Sequence, residues 1–295
     1  MARPKKITVS AINIRVHPHS PELYASLLRD AFRLKRMVHV RGDQYIVMGQ
    51  FGRHRPNDSR AYEGQLSRFT KIESDLPWFD LDTLDVAVDS LVEKIRIPSN
   101  IYPNLVTFLF IFVPEKHLLV FESYSESVSV SPHIIKKYLD SLLSDPGIVS
   151  KYGSVKVDIY GDRTRLDVLF EIPVLRRLSI EINLPNSDHW DDDLEAEIEA
   201  RLAEQNIRSE RIDYIAEEGK SIEPNERTRK IAEVALSNGR VVARGKDEHG
   251  SAVVRSTADI PVVETQNYDP RRVSVSEAFS KAAHALLQRL TGLTF

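Results

Sequence analysis

The sequence predicts an α+β fold: a mixed or antiparallel sheet with flanking helices, then a C-terminal α+β region that contains a basic hairpin. Three observations carry this. Apolar segments of strand length recur along the chain, at 7–16, 44–51, 105–122 and 178–182. Helical segments with readable starts stand among them, at 20–35, 131–145, 226–239 and 274–290. The two kinds do not alternate strictly, which argues against a doubly wound parallel sheet.

The first strand holds Ile7, Val9 and Ala11, then Ile12, Ile14 and Val16. It either bulges near Ala11 or is apolar on both faces. In "SPELYASLLRDAFRLK", Ser20 is an N-cap, Pro21 takes the first helical position and Glu22 complements the helix dipole. Leu23, Leu27, Ala31 and Leu34 make the apolar stripe, and Arg29, Arg33 and Arg36 a separate basic one. "QYIVMGQF" is a second strand, "GRHRPNDSRAYEG" a polar loop and "GQLSRFTKI" a third strand. The acidic residues 80–97 are expected to be helical. "PNLVTFLFIFVPEKHLLVFES" reads as a buried antiparallel hairpin turning at "PEK".

Ser131 and Pro132 repeat the helix opening, with Gly147 shortly past that helix's end. "VKVDIYG" and "RLDVLFEI" are strand-like, and Leu178, Ile180 and Ile182 alternate in another strand. Residues 191–206 form an acidic helix, and 226–239 a helix closed by Gly239. Residues 239–259 form a hairpin around "KDEHG", and 274–290 form the last helix. Composition turns sharply acidic at "NLPNSD", which places a boundary near residue 185. The expected units are an N-terminal α+β domain, 1–185, and a C-terminal region, 186–295.

Composition narrows the function classes. Hydrophobic residues make up 42% of the 295, enough for a substantial core. The longest apolar run, "LVTFLFIFV", has nine residues, whereas a spanning helix takes about 20. No membrane insertion is expected. "MARPKK" leads into a strand and not an apolar leader segment. With no cysteine, thiolate chemistry and disulfides are excluded, and a cytoplasmic setting is the expectation. The net charge of −3 hides uneven blocks. Residues 1–71 hold 14 Lys/Arg against 5 Asp/Glu, and 227–295 hold 11 against 7. Residues 185–226 hold 4 against 14. Basic ends around an acidic middle can steer an anionic ligand or pair with each other.

No strong catalytic motif is present: there is no phosphate-binding glycine loop, dinucleotide fingerprint or nucleophile elbow. His17 and His19 have the spacing of a metal pair, but no third ligand is near in sequence, and Pro18 with Ser20-Pro21 marks a strand-to-helix connection. Asp158, Asp162, Asp167, Glu171 and Glu181 lie on neighbouring segments, and converging carboxylates would suit Mg²⁺-dependent phosphoryl chemistry. A Glu-x-Lys pattern is missing, since Ile182 and Asn183 follow Glu181. Charged residues alternating along strands more simply form a solvated face. The same holds for the acids of "SDHWDDDLE", which suit a helix start.

The basic features give the better positive signal. In the hairpin, Arg240, Arg244 and Lys246 share one face of a strand, and Arg255 lies on the returning strand. A ribbon with projecting Arg and Lys can lie along a phosphate backbone. Arg53, His54, Arg55 and Arg60 in the polar loop, and the Arg29/Arg33/Arg36 stripe, add two more basic surfaces.

At "INIRVHPHSP", "GDQYIVMGQF", "PNLVTFLFIFVPEKHLLVFE" and "IAEVALSNGRVVARGKDEHG" the chain resembles a bacterial family of about this length, known only as a domain of unknown function. "HPHSP" and "ALSNG" are its distinctive segments. More distantly the layout is similar to the RexA exclusion protein of phage lambda and to the DNA-binding component of Kiwa defence, with "ARGKDEHG" resembling a RexA hairpin. The resemblance implies an intracellular defence-type protein, a dimer that binds DNA without strong sequence preference; a homodimer acting against phage, with a defence-system protein as a further candidate partner, is the expectation built on it. It implies no catalytic residues and no cofactor. The leading expectation is therefore sequence-nonspecific DNA binding. The alternatives are a Mg²⁺-dependent nuclease or toxin using Asp167, Glu171 and Glu181, and a protein-interaction module of a defence complex.

Overall fold

The computed structural model describes residues 4–17, 20–53, 61–73, 76–185 and 193–292. In chain order the elements begin with β1 (Lys5–Arg15), α1 (Pro21–Arg33), β2 (Val38–Arg41), β3 (Gln44–Arg53) and β4 (Tyr62–Thr70). A segment with β5 (Phe79–Asp80), β6 (Asp85–Val86) and α2 (Asp89–Val92) leads to β7 (Val106–Val113), β8 (Leu118–Ser125) and β9 (Val128–Ser129). Then come α3 (Pro132–Leu143), α4 (Pro146–Tyr152), β10 (Lys156–Ile159), α5 (Asp167–Phe170), β11 (Val174–Asn183) and α6 (Asp193–Glu204). The chain closes with β12 (Ser209–Ile215), α7 (Glu226–Asn238), β13 (Gly239–Lys246), β14 (Ala252–Ser256), β15 (Val263–Tyr268) and α8 (Val275–Thr291). Every strand pair among the described residues is antiparallel, so the α+β expectation holds and its sheets are antiparallel rather than mixed.

β1 explains why its sequence is apolar in both phases. One edge pairs with β8. The other edge is shared, with β15 along Lys5–Ser10 and β10 along Ile12–Arg15. Ile7, Val9 and Ala11 face α8 and pack with Phe279, Ala282, Ala283 and Leu286. Ile12, Ile14 and Val16 face the opposite layer, where α1 and α3 supply Leu27, Leu28, Tyr138 and Leu142. The large sheet runs β10-β1-β8-β7-β4-β3-β2. Its β7–β8 hairpin has the expected register, Phe110 opposite Phe121 and Val113 opposite Leu118, and turns through Pro114–Lys116 with His117 left-handed at φ 43°.

The second sheet runs β12-β11-β13-β14. Leu178, Ile180, Ile182, Val241 and Ala243 form its inner face and pack on α6 and α7 through Ile198, Leu202, Ala232 and Leu236. Gly239 is required here, because a Cβ would stand 2.0 Å from the Glu181 carbonyl oxygen. The chain leaves the large sheet at Tyr160 and rejoins it at Val262, whose N–H donates to the Tyr160 carbonyl at 2.8 Å. The sheets are therefore nested rather than tandem. The compositional shift near residue 185 falls inside the inserted unit, between β11 and α6, and α8 belongs with the large sheet.

Three local expectations are corrected. Residues 80–97 hold a two-residue hairpin and the four-residue α2, not a long helix. Asp80 Oδ1 there accepts from the backbone N–H of Asp82 and Thr83, an Asx turn that competes with helix, and Leu84 is left-handed at φ 56°. "RLDVLFEI" is a turn and the short α5, since Leu166, Leu169 and Ile172 are buried at a spacing of three, not two. Gly147 does lie shortly past the end of α3 at Leu143, where it already belongs to the first turn of α4. The buried stripe of α1 is Tyr24, Leu27, Leu28 and Ala31, with Leu34 exposed as its C-cap.

Candidate nucleic-acid interface

The second sheet has a buried inner face, so strand alternation turns its other residues outward. β13 presents Arg240, Arg244 and Lys246, all exposed, around Val242. β11 presents Arg177 and Glu181, and β12 presents Arg211 and Asp213. Five cations thus meet two carboxylates on this face. Asp213 takes Arg177 at 3.3 Å and Arg211 at 3.1 Å, and accepts from the Ser179 hydroxyl. The Ser179 and Arg177 hydrogen bonds hold its carboxyl down to about 2. Glu181 faces Arg240 at 3.8 Å. Arg244 and Lys246 have no acidic partner among the described residues. Arg244 moreover pairs in register with Arg177, and like charges directly opposite across strands repel.

The remaining basic candidates lie elsewhere. Arg255 is on the inner side of β14, opposite Ala243, and donates to the Val168 carbonyl of α5. Arg33 sits 3.3 Å from Asp30, and Arg36, beyond the helix end, 2.9 Å from Asp145. Asp30 also accepts from Lys151 and Tyr152, both at 2.6 Å, and these bonds keep its pKa below the usual carboxylate value. That basic stripe is therefore largely engaged between α1 and α4, with Arg29 half-buried beside it. Arg53 is exposed at the end of β3. His19, His54, Arg55, Arg60 and residues 187–192 lie outside the described residues.

A polar seam joins the two sheets at the end of this face. Arg15, only 1% exposed, pairs with Asp158 and donates from Nη1 to Asn238 Oδ1 at 2.9 Å. Asn183 Nδ2 also donates to Asp158, at 3.1 Å, and Asn238 Nδ2 donates to the buried Glu195 at 2.7 Å. Asn13 Nδ2 reaches the Ser237 carbonyl at 2.9 Å, and His17 Nε2 lies 3.2 Å from the Leu184 carbonyl oxygen. Burial pulls the Arg15 pKa below its ordinary value, and the Asp158 charge opposes that. His17 thus bridges the sheets.

Two clefts flank the seam and share Lys156 and Asn183. The first, about 360 Å³, holds His133, Lys136, Asp140, Asp158, Glu181 and Arg240 and continues the open face. Burial raises the Asp140 pKa, and Lys136 at 2.9 Å counters it. The second, about 500 Å³, holds Arg15, His17, Ser154, Leu184, Ile207 and Arg208.

Of the five carboxylates that suggested a nuclease, only Asp158 and Glu181 share a cleft. Asp162 accepts from the backbone N–H of Thr164, Asp167 pairs with Arg229 at 2.5 Å, and Glu171 ends α5. No group of three or more His, Asp or Glu with metal-holding geometry occurs among the described residues. Lys156, Arg177, Arg208 and Arg211 were missed from sequence. Strand alternation in "LRRLSIE" could have found Arg177, but the pairing of β10 with β1 that places Lys156 has no local signal.

Fold and face define an α+β protein of two nested antiparallel sheets with a cationic sheet surface that runs into a cleft at their junction. Residues 5–284 match the family described as "Domain of unknown function (DUF4747)", and the chain belongs to that family. No curated protein matches the chain.

Proposed function

We propose that this protein binds nucleic acid through phosphate contacts, without sequence preference, along the outer face of the second sheet. The observation that carries the reading is the Arg177–Arg244 opposition with Lys246 beside it, where Arg244 and Lys246 lack acidic partners among the described residues. Like charges held in register gain from a bound polyanion, whose counterions are released on contact. The resemblance to RexA and to the Kiwa component supplies the setting, a homodimer in bacterial anti-phage defence that acts on DNA. Fluorescence anisotropy with labelled DNA over a salt series tests the reading. Arg244→Glu with Lys246→Glu should weaken every sequence alike and flatten the dependence of log K on log[salt] by about two. An unchanged slope, or no binding at about 50 mM salt, would sink it.

The exposed apolar segment between β4 and β7 favours a second reading, a protein-interaction module. Absence of DNA binding at low salt selects it.

A further inference from the structure

The second cleft at the sheet junction has a chemistry that the open face lacks. Its volume of about 500 Å³ lies within the usual range of small-molecule sites. Lys156 and Arg208 stand in its wall with Arg15, and no carboxylate lines it. Lys156 makes no ion pair among the described residues, and Arg208 donates only to the Ser154 hydroxyl, at 2.6 Å. Leu184, Ala203 and Ile207 give the same cleft an apolar wall. Two buried polar atoms of its lining residues have no hydrogen-bond partner among the described residues: Arg15 Nε, a donor, and Asn183 Oδ1, an acceptor. Both atoms are sealed from solvent, so the cations the cleft offers to a ligand are the half-buried Lys156 and the exposed Arg208.

We propose that this cleft seats a nucleoside monophosphate group, from a free nucleotide or from the terminal nucleotide of a strand. Lys156 and Arg208 take the phosphate. Leu184 and Ile207 cover the sugar and base. Asn183 also lines the neighbouring cleft that Arg240 joins to the open face, so a strand lying on that face would end here. The site does not depend on the open face binding anything.

Isothermal titration of the full chain with the nucleoside 5′-monophosphates, inorganic phosphate and unphosphorylated nucleosides tests this. The monophosphates should bind at least about tenfold tighter than either half-ligand, since each half meets only one of the two walls. Lys156→Gln with Arg208→Gln should weaken them at least about tenfold, and Ala203→Trp should do the same by filling the apolar wall from an exposed helix position. Thermal melts matching the parent confirm that both variants fold. Arg244→Glu with Lys246→Glu should leave mononucleotide binding unchanged, which separates this site from the open face. A preference for 5′-phosphorylated over 5′-hydroxyl oligonucleotide that disappears in Ala203→Trp assigns the strand end. Mononucleotide binding without that preference assigns the free nucleotide. The proposal is overturned if no monophosphate binds, if inorganic phosphate binds as tightly as nucleotides, or if both cleft variants bind like the parent.

Discussion

Asp158 is the carboxylate that directly answers a buried cation, with the buried Glu195 acting on it from farther away. Arg15 has its guanidinium inside the seam, and its neighbours there are Asp158 and Asn238. Asn238 belongs to "ALSNG", and so does Gly239, which lets β13 approach the Glu181 carbonyl. "HPHSP" contributes at the same junction through its described residues, His17 on the Leu184 carbonyl and Ser20 capping α1 by accepting from the Leu23 N–H at 3.2 Å. The two segments that are distinctive in sequence are thus joints of the fold. Asp158→Asn keeps the shape and removes the charge, which leaves the buried Arg15 without its direct ion pair and with only the more distant Glu195 opposite it. Breaking one partner of a buried pair costs about 3–5 kcal/mol, so urea unfolding should shift by that amount with an unchanged m-value. A loss under about 1 kcal/mol would show that water already reaches the guanidinium.

The segment between β4 and β7 is the element least tied to the core. Leu81 is 77% exposed and Leu84 70%, and Phe79, Val86 and Val88 all exceed 60%. None of residues 76–105 belongs to a buried cluster. Arg68 pairs with Val106, so the strands that bracket the segment already meet, and a short turn can close them. Replacing residues 76–99 by a Gly-Ser linker should preserve one cooperative melt within a few degrees of the parent and raise solubility, because a large apolar patch is removed. Loss of the transition would mean that the segment holds β4 against β7. The same contrast decides what could be read from sequence. β1, α1 and the β7–β8 hairpin were legible because apolar periodicity and Ser-Pro caps agree there. β2, β12 and β15 escaped notice because they are short or largely polar, and their places come from distant partners. The acidic stretch 80–97 misled because charge pattern outweighed turn chemistry. For the site, the Arg240–Lys246 face was legible from alternation along one strand, whereas Arg177 joins it through the pairing of β11 with β13, and Lys156 and Arg208 meet in the second cleft only through the tertiary fold.

At the scale of the whole molecule, nesting sets which pieces can fold. A break near residue 185 would leave the large sheet without β15 and α8, exposing Ile7, Val9, Ala11, Val113 and Val120, and would strip β11 of β12 and β13. Burying a large aliphatic side chain is worth about 1.5–3 kcal/mol, so several lost together exceed the usual net stability of a domain. Residues 1–185 expressed alone should therefore show weak near-UV circular dichroism, bind a hydrophobic dye and melt without cooperativity. The complementary piece follows from the hydrogen bond between Val262 and Tyr160, which puts the two ends of the excursion side by side. A chain in which a short linker replaces residues 161–261 keeps both layers over β1, with α1 and α3 on one face and α8 on the other. It should melt cooperatively although it lacks the second sheet and most of the seam, and it should bind neither DNA nor mononucleotide through the surfaces described above. A cooperative melt for residues 1–185, combined with an unfolded linker chain, would place the division near residue 185 instead and refute the nested arrangement.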